Sequence, residues 1–355
     1  RNAAVNRPGR PREREWFNVS DTFWFAFNAV MAMVVLMLLG WWLKRKGIFD
    51  ENLLKRMNGF TFRFGLSAMM FRNTYTLSSL DDLQLNVITC VLASILVLAG
   101  MGWIEARLFT KCRSRRGIII QNSFRCNFAI IGTTLAISIG GSAGGAAATS
   151  IQAAAIICFN VAAVLCLSVY SDQPGHGAGP GTVLRGIITN PMILGQVAGI
   201  ICLVAREMIP RDGQGELVFS VAKDLPFLYS AVEGLADMAS PLILILLGAR
   251  INLKAVGNMK KELAVGVVQR LILAPAVGFS LVFLAQHMGI LNATPALISA
   301  LVGLYGSPVA AASAVMAEEM GGDAELARQY VVWTTVCSVF SLIAWIFLLR
   351  TAHLL

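Results

Sequence analysis

Ile131-Gly132-Thr133-Thr134-Leu135-Ala136 and Tyr305-Gly306-Ser307-Pro308-Val309-Ala310 lie 174 residues apart, each inside an apolar run long enough to cross a bilayer. The same offset carries Leu66-Ser67-Ala68 onto Ser240-Pro241-Leu242. A helix broken in hydrocarbon survives only where something satisfies the backbone groups it releases. Breaks that recur at matching places in two halves of a chain point to the binding site of a secondary transporter.

Outward from these stretches the composition agrees. Apolar residues make up 56% of the 355-residue chain and charged residues 14%, with a mean hydropathy of +0.68. That usage lies outside the soluble range. Hydropathy predicts ten spans, at 23–43, 52–76, 84–109, 117–139, 146–170, 186–206, 227–250, 262–286, 294–317 and 326–350. Before them stands a polar tail, 1–22. Between the fifth and sixth spans Ser171–Gly181 holds four Gly and two Pro. The expected organisation is therefore a first five-helix repeat at 23–170, a linker at 171–185, a second repeat at 186–350 and a short tail at 351–355. An odd number of spans per half forces the second copy to run upside down.

Lys and Arg gather in the loops after odd-numbered spans, among them Lys44, Arg45, Lys46, Lys111, Arg113, Lys260 and Lys261. By the positive-inside rule these loops are cytoplasmic and both termini lie outside, in a plasma or bacterial inner membrane. The net charge of +9 follows from this bias. A nucleic-acid-binding reading fails because no soluble basic domain exists to carry it. Seven Cys without a C-x-x-C pairing argue against a disulfide framework or zinc site, and no cofactor or metal is expected. H-E-x-x-H is absent and no His falls within a span, so an enzyme is not expected.

If spans 4 and 9 break at Gly132 and at Gly306-Ser307-Pro308, half-helix ends meet near the midplane. Their free N–H groups and positive dipole ends suit a carboxylate. Pro308 fits the first turn of a half-helix, where its missing N–H is no loss. For Gly132 the competing reading is close helix packing. Asn127 and Asn122 offer amide donors beside the first break; their competing role is an interhelical hydrogen bond. Arg125 is either an anion ligand or a snorkelling structural residue. Asp237 and Glu233, one turn apart before Pro241, are coupling-proton candidates if burial raises their pKa, or else form an ion pair with Arg270. Glu105 is expected to pair with Arg107 or the basic loop, and Glu318 and Glu319 to be interfacial.

At this point the residues resemble a known family, the auxin efflux carriers, which include plant PIN-FORMED transporters and bacterial relatives. The resemblance covers nearly all of 23–350. Lys44–Gly47 with Phe49–Phe71 looks like the family's first loop and second helix. Asn127-Phe128-Ala129-Ile130-Ile131-Gly132 resembles its Asn-x-x-x-x-Gly crossover motif. Thr189-Asn190-Pro191 with Gly195 and Gly199 resembles the start of its sixth helix. Leu235-Ala236-Asp237 with Gly248, and Pro308 through Glu319, resemble its seventh and ninth.

The resemblance implies an all-α membrane protein of ten transmembrane helices in two inverted five-helix repeats. Broken helices 4 and 9 cross in it, as in the sodium/proton antiporter and bile-acid-symporter-like fold. It further implies elevator-type export of a small organic anion, with Asn127 and Pro308 at the crossover, and a possible homodimer. Two family prolines are missing: Thr134 and Ser67 stand in their places, so the first crossover is expected to be less sharply broken or held by the Thr hydroxyls. Two other functions stay open, a sodium-coupled organic-anion symporter and a transporter-like receptor that binds without flux.

Overall fold

The computed structural model describes residues 19–76, 85–171, 180–210 and 218–355. Most of the polar tail and most of the Gly/Pro-rich linker fall outside these. Among the described residues all regular structure is helical, apart from one isolated antiparallel bridge, Cys126 to Val309.

Among the described residues, five helices are long and apolar enough to cross a membrane. They are Leu85–Phe109, Thr133–Tyr170, Pro226–Ala249, Lys260–His287 and Ala324–Thr351. The first shows why. It is 25 residues long and carries no charge before Glu105, and about 20 apolar residues suffice for the hydrocarbon core.

Sequence boundaries hold where local chemistry sets them. Span 10 is helix α15 (Ala324–Thr351), started by Asp323, whose carboxylate accepts from the Leu326 N–H at 3.0 Å. Helix α13 (Pro295–Gly306) begins with the Thr294 hydroxyl accepting from Leu297 N–H and with Pro295 in the first turn. Span 2 is continuous: α2 (Glu51–Phe60), a π-helical turn (Thr61–Gly65) and α3 (Leu66–Tyr75).

Packing gathers the helices into two groups. In one, α1 (Val19–Arg45) lies along α10 (Pro226–Ala249), and α3 lies against α10 and α8 (Pro191–Glu207). In the other, α5 (Arg113–Phe124) packs between α4 (Leu85–Phe109) and α6 (Thr133–Tyr170). There α6 lies along α13, and α15 contacts α11 (Lys260–Val268), α13 and α14 (Ala312–Glu319).

Spans 4 and 5 differ from the sequence reading. The chain leaves the helix at Arg125–Asn127, not at Gly132, whose φ of −65° and ψ of −46° are helical. A π-helical turn, Phe128–Gly132, then leads straight into α6. The expected loop between the two spans is a single sharp turn inside α6 at Gly141, with φ 62° and ψ −152°. This left-handed region is open to glycine at no steric cost.

Candidate functional site

The two breaks lie side by side. At the first, Arg125 (φ −83°, ψ 112°) still donates its N–H to Gln121, after which the backbone is extended through Cys126. At the second, Ser307 adopts φ −65° and ψ 147°, the conformation that a following proline imposes. The Asn127 N–H donates to the Pro308 carbonyl at 2.8 Å, and the Val309 N–H donates to the Thr334 hydroxyl at 3.1 Å. Two backbone donors freed by unwinding are thus satisfied inside protein, which membrane depth requires.

Gly132 makes the crossing possible in another way. A Cβ on it would stand 2.8 Å from the Gly303 carbonyl oxygen, and one on Gly303 would stand 2.3 Å from that of Gly132. These glycines let α13 and the start of α6 touch backbone to backbone. Packing is therefore the role the structure gives Gly132, and its partner is Gly303 instead of the Gly306 to which the sequence offset matched it. The Thr134 hydroxyl donates to Ile131 O at 2.9 Å, and the Thr133 hydroxyl to Gln152 Oε1 at 2.7 Å. The chain breaks fully without the family proline at 134.

Beside the bridge is a cavity of about 50 Å³ lined by Arg125, Asn127, Phe128, Asn160, Met70 and Ser240, with further apolar neighbours. Arg125 is 3% exposed, and snorkelling is excluded by that burial. Its Nη1 lies 2.8 Å from Met316 Sδ, and no carboxylate lines the cavity. Among the described residues Asn127 Nδ2 reaches only Met33 Sδ, at 4.0 Å. Asn160, which sequence reasoning passed over, donates to Met70 Sδ at 2.7 Å and to Gln196 Oε1 at 3.4 Å. The one amide at the centre of the apolar run 153–167 is the available signal.

The remaining candidates lie elsewhere. Asn122 donates to the Gly266 carbonyl at 2.9 Å, an interhelical bond. Gly306 packs under Leu342, and the Ser307 hydroxyl donates to Gly303 O at 2.5 Å; neither lines the cavity. Asp237 is paired with Arg72, not Arg270, and its side chain is 71% exposed, so the burial its expected proton role needs is missing. Both partners of that pair sit one turn from cavity residues on the same helix faces: Arg72 from Met69 on α3, Asp237 from Ser240 on α10. Glu233, half-buried, follows one turn further along α10. Glu105 does not meet Arg107, which stacks on Trp103 at 4.0 Å, and its buried Oε2 has no hydrogen-bond partner. Glu318 pairs with Arg250 and Arg328, while Glu319 accepts from Asn58 at 2.9 Å.

Arg270 is the residue sequence reasoning misplaced. It is 1% exposed, and it donates to the carbonyls of Ser307 (3.0 Å), Leu304 (3.1 Å), Tyr305 (2.7 Å) and Ser123 (3.4 Å). Helix ends leave carbonyls unpaired and carry negative partial charge. One guanidinium closes the end of α13 and also reaches the last turn of α5.

Two helices broken side by side at a small, mostly apolar cavity with a few polar groups, inside an apolar bundle, are what a membrane transport protein is expected to show. The family model described as membrane transport protein matches residues 25–174 and 181–346, and the chain belongs to this family, that of the auxin efflux carriers. No match is found among the curated proteins. The short gap between the two matched stretches falls on the Gly/Pro-rich linker.

Proposed function

We propose that the chain is a secondary transporter that exports a small organic anion, with the substrate held where the two broken helices cross. Arg125 carries this reading. Burying a guanidinium without an acidic partner costs several kcal/mol, and among the described residues its side chain meets no carboxylate, only the Met316 thioether at hydrogen-bond distance. An anionic ligand supplies the missing partner, and Asn127 and Asn160 supply amide donors beside it.

The cavity of about 50 Å³ admits a few water molecules but no organic acid. Substrate entry therefore requires movement. In this reading the α1, α3, α8 and α10 group is the scaffold and the rest of the bundle slides against it, as an elevator, between two inverted five-helix repeats. The Arg72–Asp237 pair stands on the route towards the ends of α3 and α10 that the charge bias places outside, and opening separates it. The basic loops put the opposite mouth in the cytoplasm and both termini outside.

Anion coordination is favoured over a sodium site at the same crossing. Carbonyls at an unwound segment are the usual sodium ligands, and those of Leu304, Tyr305 and Ser307 already accept from Arg270.

The test is flux of labelled indole-3-acetate and malonate in proteoliposomes, with and without a pH gradient or imposed potential. Saturable flux of either acid is expected, and its gradient dependence names the coupling. Saturable binding with no flux overturns the transporter reading in favour of a receptor.

A further inference from the structure

An apolar groove of about 580 Å³ runs along the outside of the bundle between α1 and α15. One wall is a stripe of α1 (Val34, Met37, Leu38 and Trp41) at the spacing of a single helix face. Val332 and Val336 of α15 form the other. Leu38 is 56% exposed and Trp41 44%, so no described part of the chain covers the groove.

Its two ends differ chemically. From Val34 to the end of the stripe everything is apolar, whereas beyond Trp41 come Lys44 and Arg45, the latter with its guanidinium 5.2 Å from the Trp41 ring centre. Lys254 borders the groove at this end. There it meets a wider polar cleft of about 1140 Å³ that holds Lys44, Arg45 and Lys55. Carboxylates already engage Lys44 (Glu51, 2.5 Å), Arg250 and Arg328. Among the described residues Lys55 and Lys254 have no ion pair, and Arg45 has only its ring. Excess positive charge therefore collects at one end of an apolar trough.

Length fits as well. The ten residues from Val34 to Lys44 rise about 15 Å at 1.5 Å each, half of a hydrocarbon core about 30 Å thick. Aromatic residues at this position mark the interface, so the trough spans one leaflet from midplane to headgroup level.

We propose that this groove is a binding site for one anionic glycerophospholipid. An acyl chain lies between α1 and α15, and the phosphate is held by Lys254 and Arg45 with Lys55 close by. Basic pockets between transmembrane helices on the cytoplasmic side hold anionic headgroups by this physics. The site is independent of the substrate cavity and of what the protein carries. The helices α1 and α15 pack directly against each other, and a lipid seated along that seam touches both.

The test is native mass spectrometry of the full chain released from nanodiscs of equal phosphatidylglycerol and phosphatidylcholine. Wild-type protein is expected to retain one phosphatidylglycerol preferentially. Arg45→Ala with Lys254→Ala should lower that preference roughly thirtyfold, the order that two cations near a membrane surface supply. Val336→Trp, which fills the trough at an exposed position, should abolish retention of either lipid. Equal retention of the two lipids by wild type overturns the proposal without recourse to any variant. Retention unchanged in Val336→Trp overturns the location, and a tightly bound dimer free of lipid, with Leu38→Cys pairs cross-linking across this face, assigns the groove to a second copy instead.

Discussion

Two arginines lie buried among the described residues of this bundle, and their surroundings are opposite. Arg270 donates to four backbone carbonyls at the ends of broken helices; Arg125, close to the same crossing, has a thioether and a small cavity. A buried charge whose donors are satisfied is part of the architecture. One left with open donors in a cavity is a binding group waiting for its counter-charge. Where the surroundings are saturated the residue holds the fold, and where they are not it is free to bind.

The sharpest break of this comparison is at Arg270. Arg270→Met strips the carbonyls of Leu304, Tyr305 and Ser307 of their donor where no water replaces it. Loss of a buried charged partner of this kind costs about 3–5 kcal/mol. We expect a strong fall in thermal stability in detergent and little monodisperse protein. A variant that melts with wild type would mean that the end of α13 is satisfied in some other way.

Arg125→Met is expected to act with the opposite sign on stability. Removing a buried charge that lacks a carboxylate partner relieves desolvation, so the melting temperature should hold or rise. Transport should suffer: a hydrogen bond to a charged group is worth about 1.5–3 kcal/mol, or roughly 10–100-fold in apparent affinity for the anion. Stability and flux measured on the same preparation separate the two arginines. A destabilised variant with normal flux would make Arg125 architectural too.

This contrast also marks how far the sequence could be read. Pro308 places the second break because proline acts locally, restricting Ser307 and removing an N–H. The first break has no such local cause. Arg125–Asn127 unwinds against Val309 and Pro308 from the far half of the chain, and a tertiary pairing leaves no mark on the residues beside it. The reading therefore settled on Gly132, a true signal whose meaning was contact with Gly303. Arg125 and Asn127 were visible as polar residues in an apolar run. Asn160 is equally visible in its own apolar run. Arg270 was seen only as a partner for acids, since carbonyl partners on another helix cannot be inferred from types and spacing.

Asn127→Ala sharpens the comparison at smaller amplitude. The bond to Pro308 is made by the backbone N–H and survives the substitution, so the crossing should stay intact. The lost amide is a neutral donor worth about 0.5–1.5 kcal/mol. A fall in apparent anion affinity of roughly 3–10-fold at unchanged melting temperature is the expected result. Unchanged affinity would take Asn127 out of the site and leave Arg125 and Asn160 to hold the ligand.

The smallest effect is expected at the pair outside the cavity. Asp237 is 71% exposed and faces Arg72, and exposed ion pairs contribute about 0–1 kcal/mol. In Asp237→Asn the amide oxygen still accepts from the Arg72 guanidinium, so the contact is weakened without being lost. Flux should change less than about threefold on that energy scale, with a pH profile parallel to wild type. The reason is positional: this carboxylate is open to solvent, whereas a proton carrier depends on burial. A flattened pH response in Asp237→Asn would reverse the assignment. Coupling would then reside in the route between α3 and α10, and the cavity beside Arg125 would bind the anion without moving the proton.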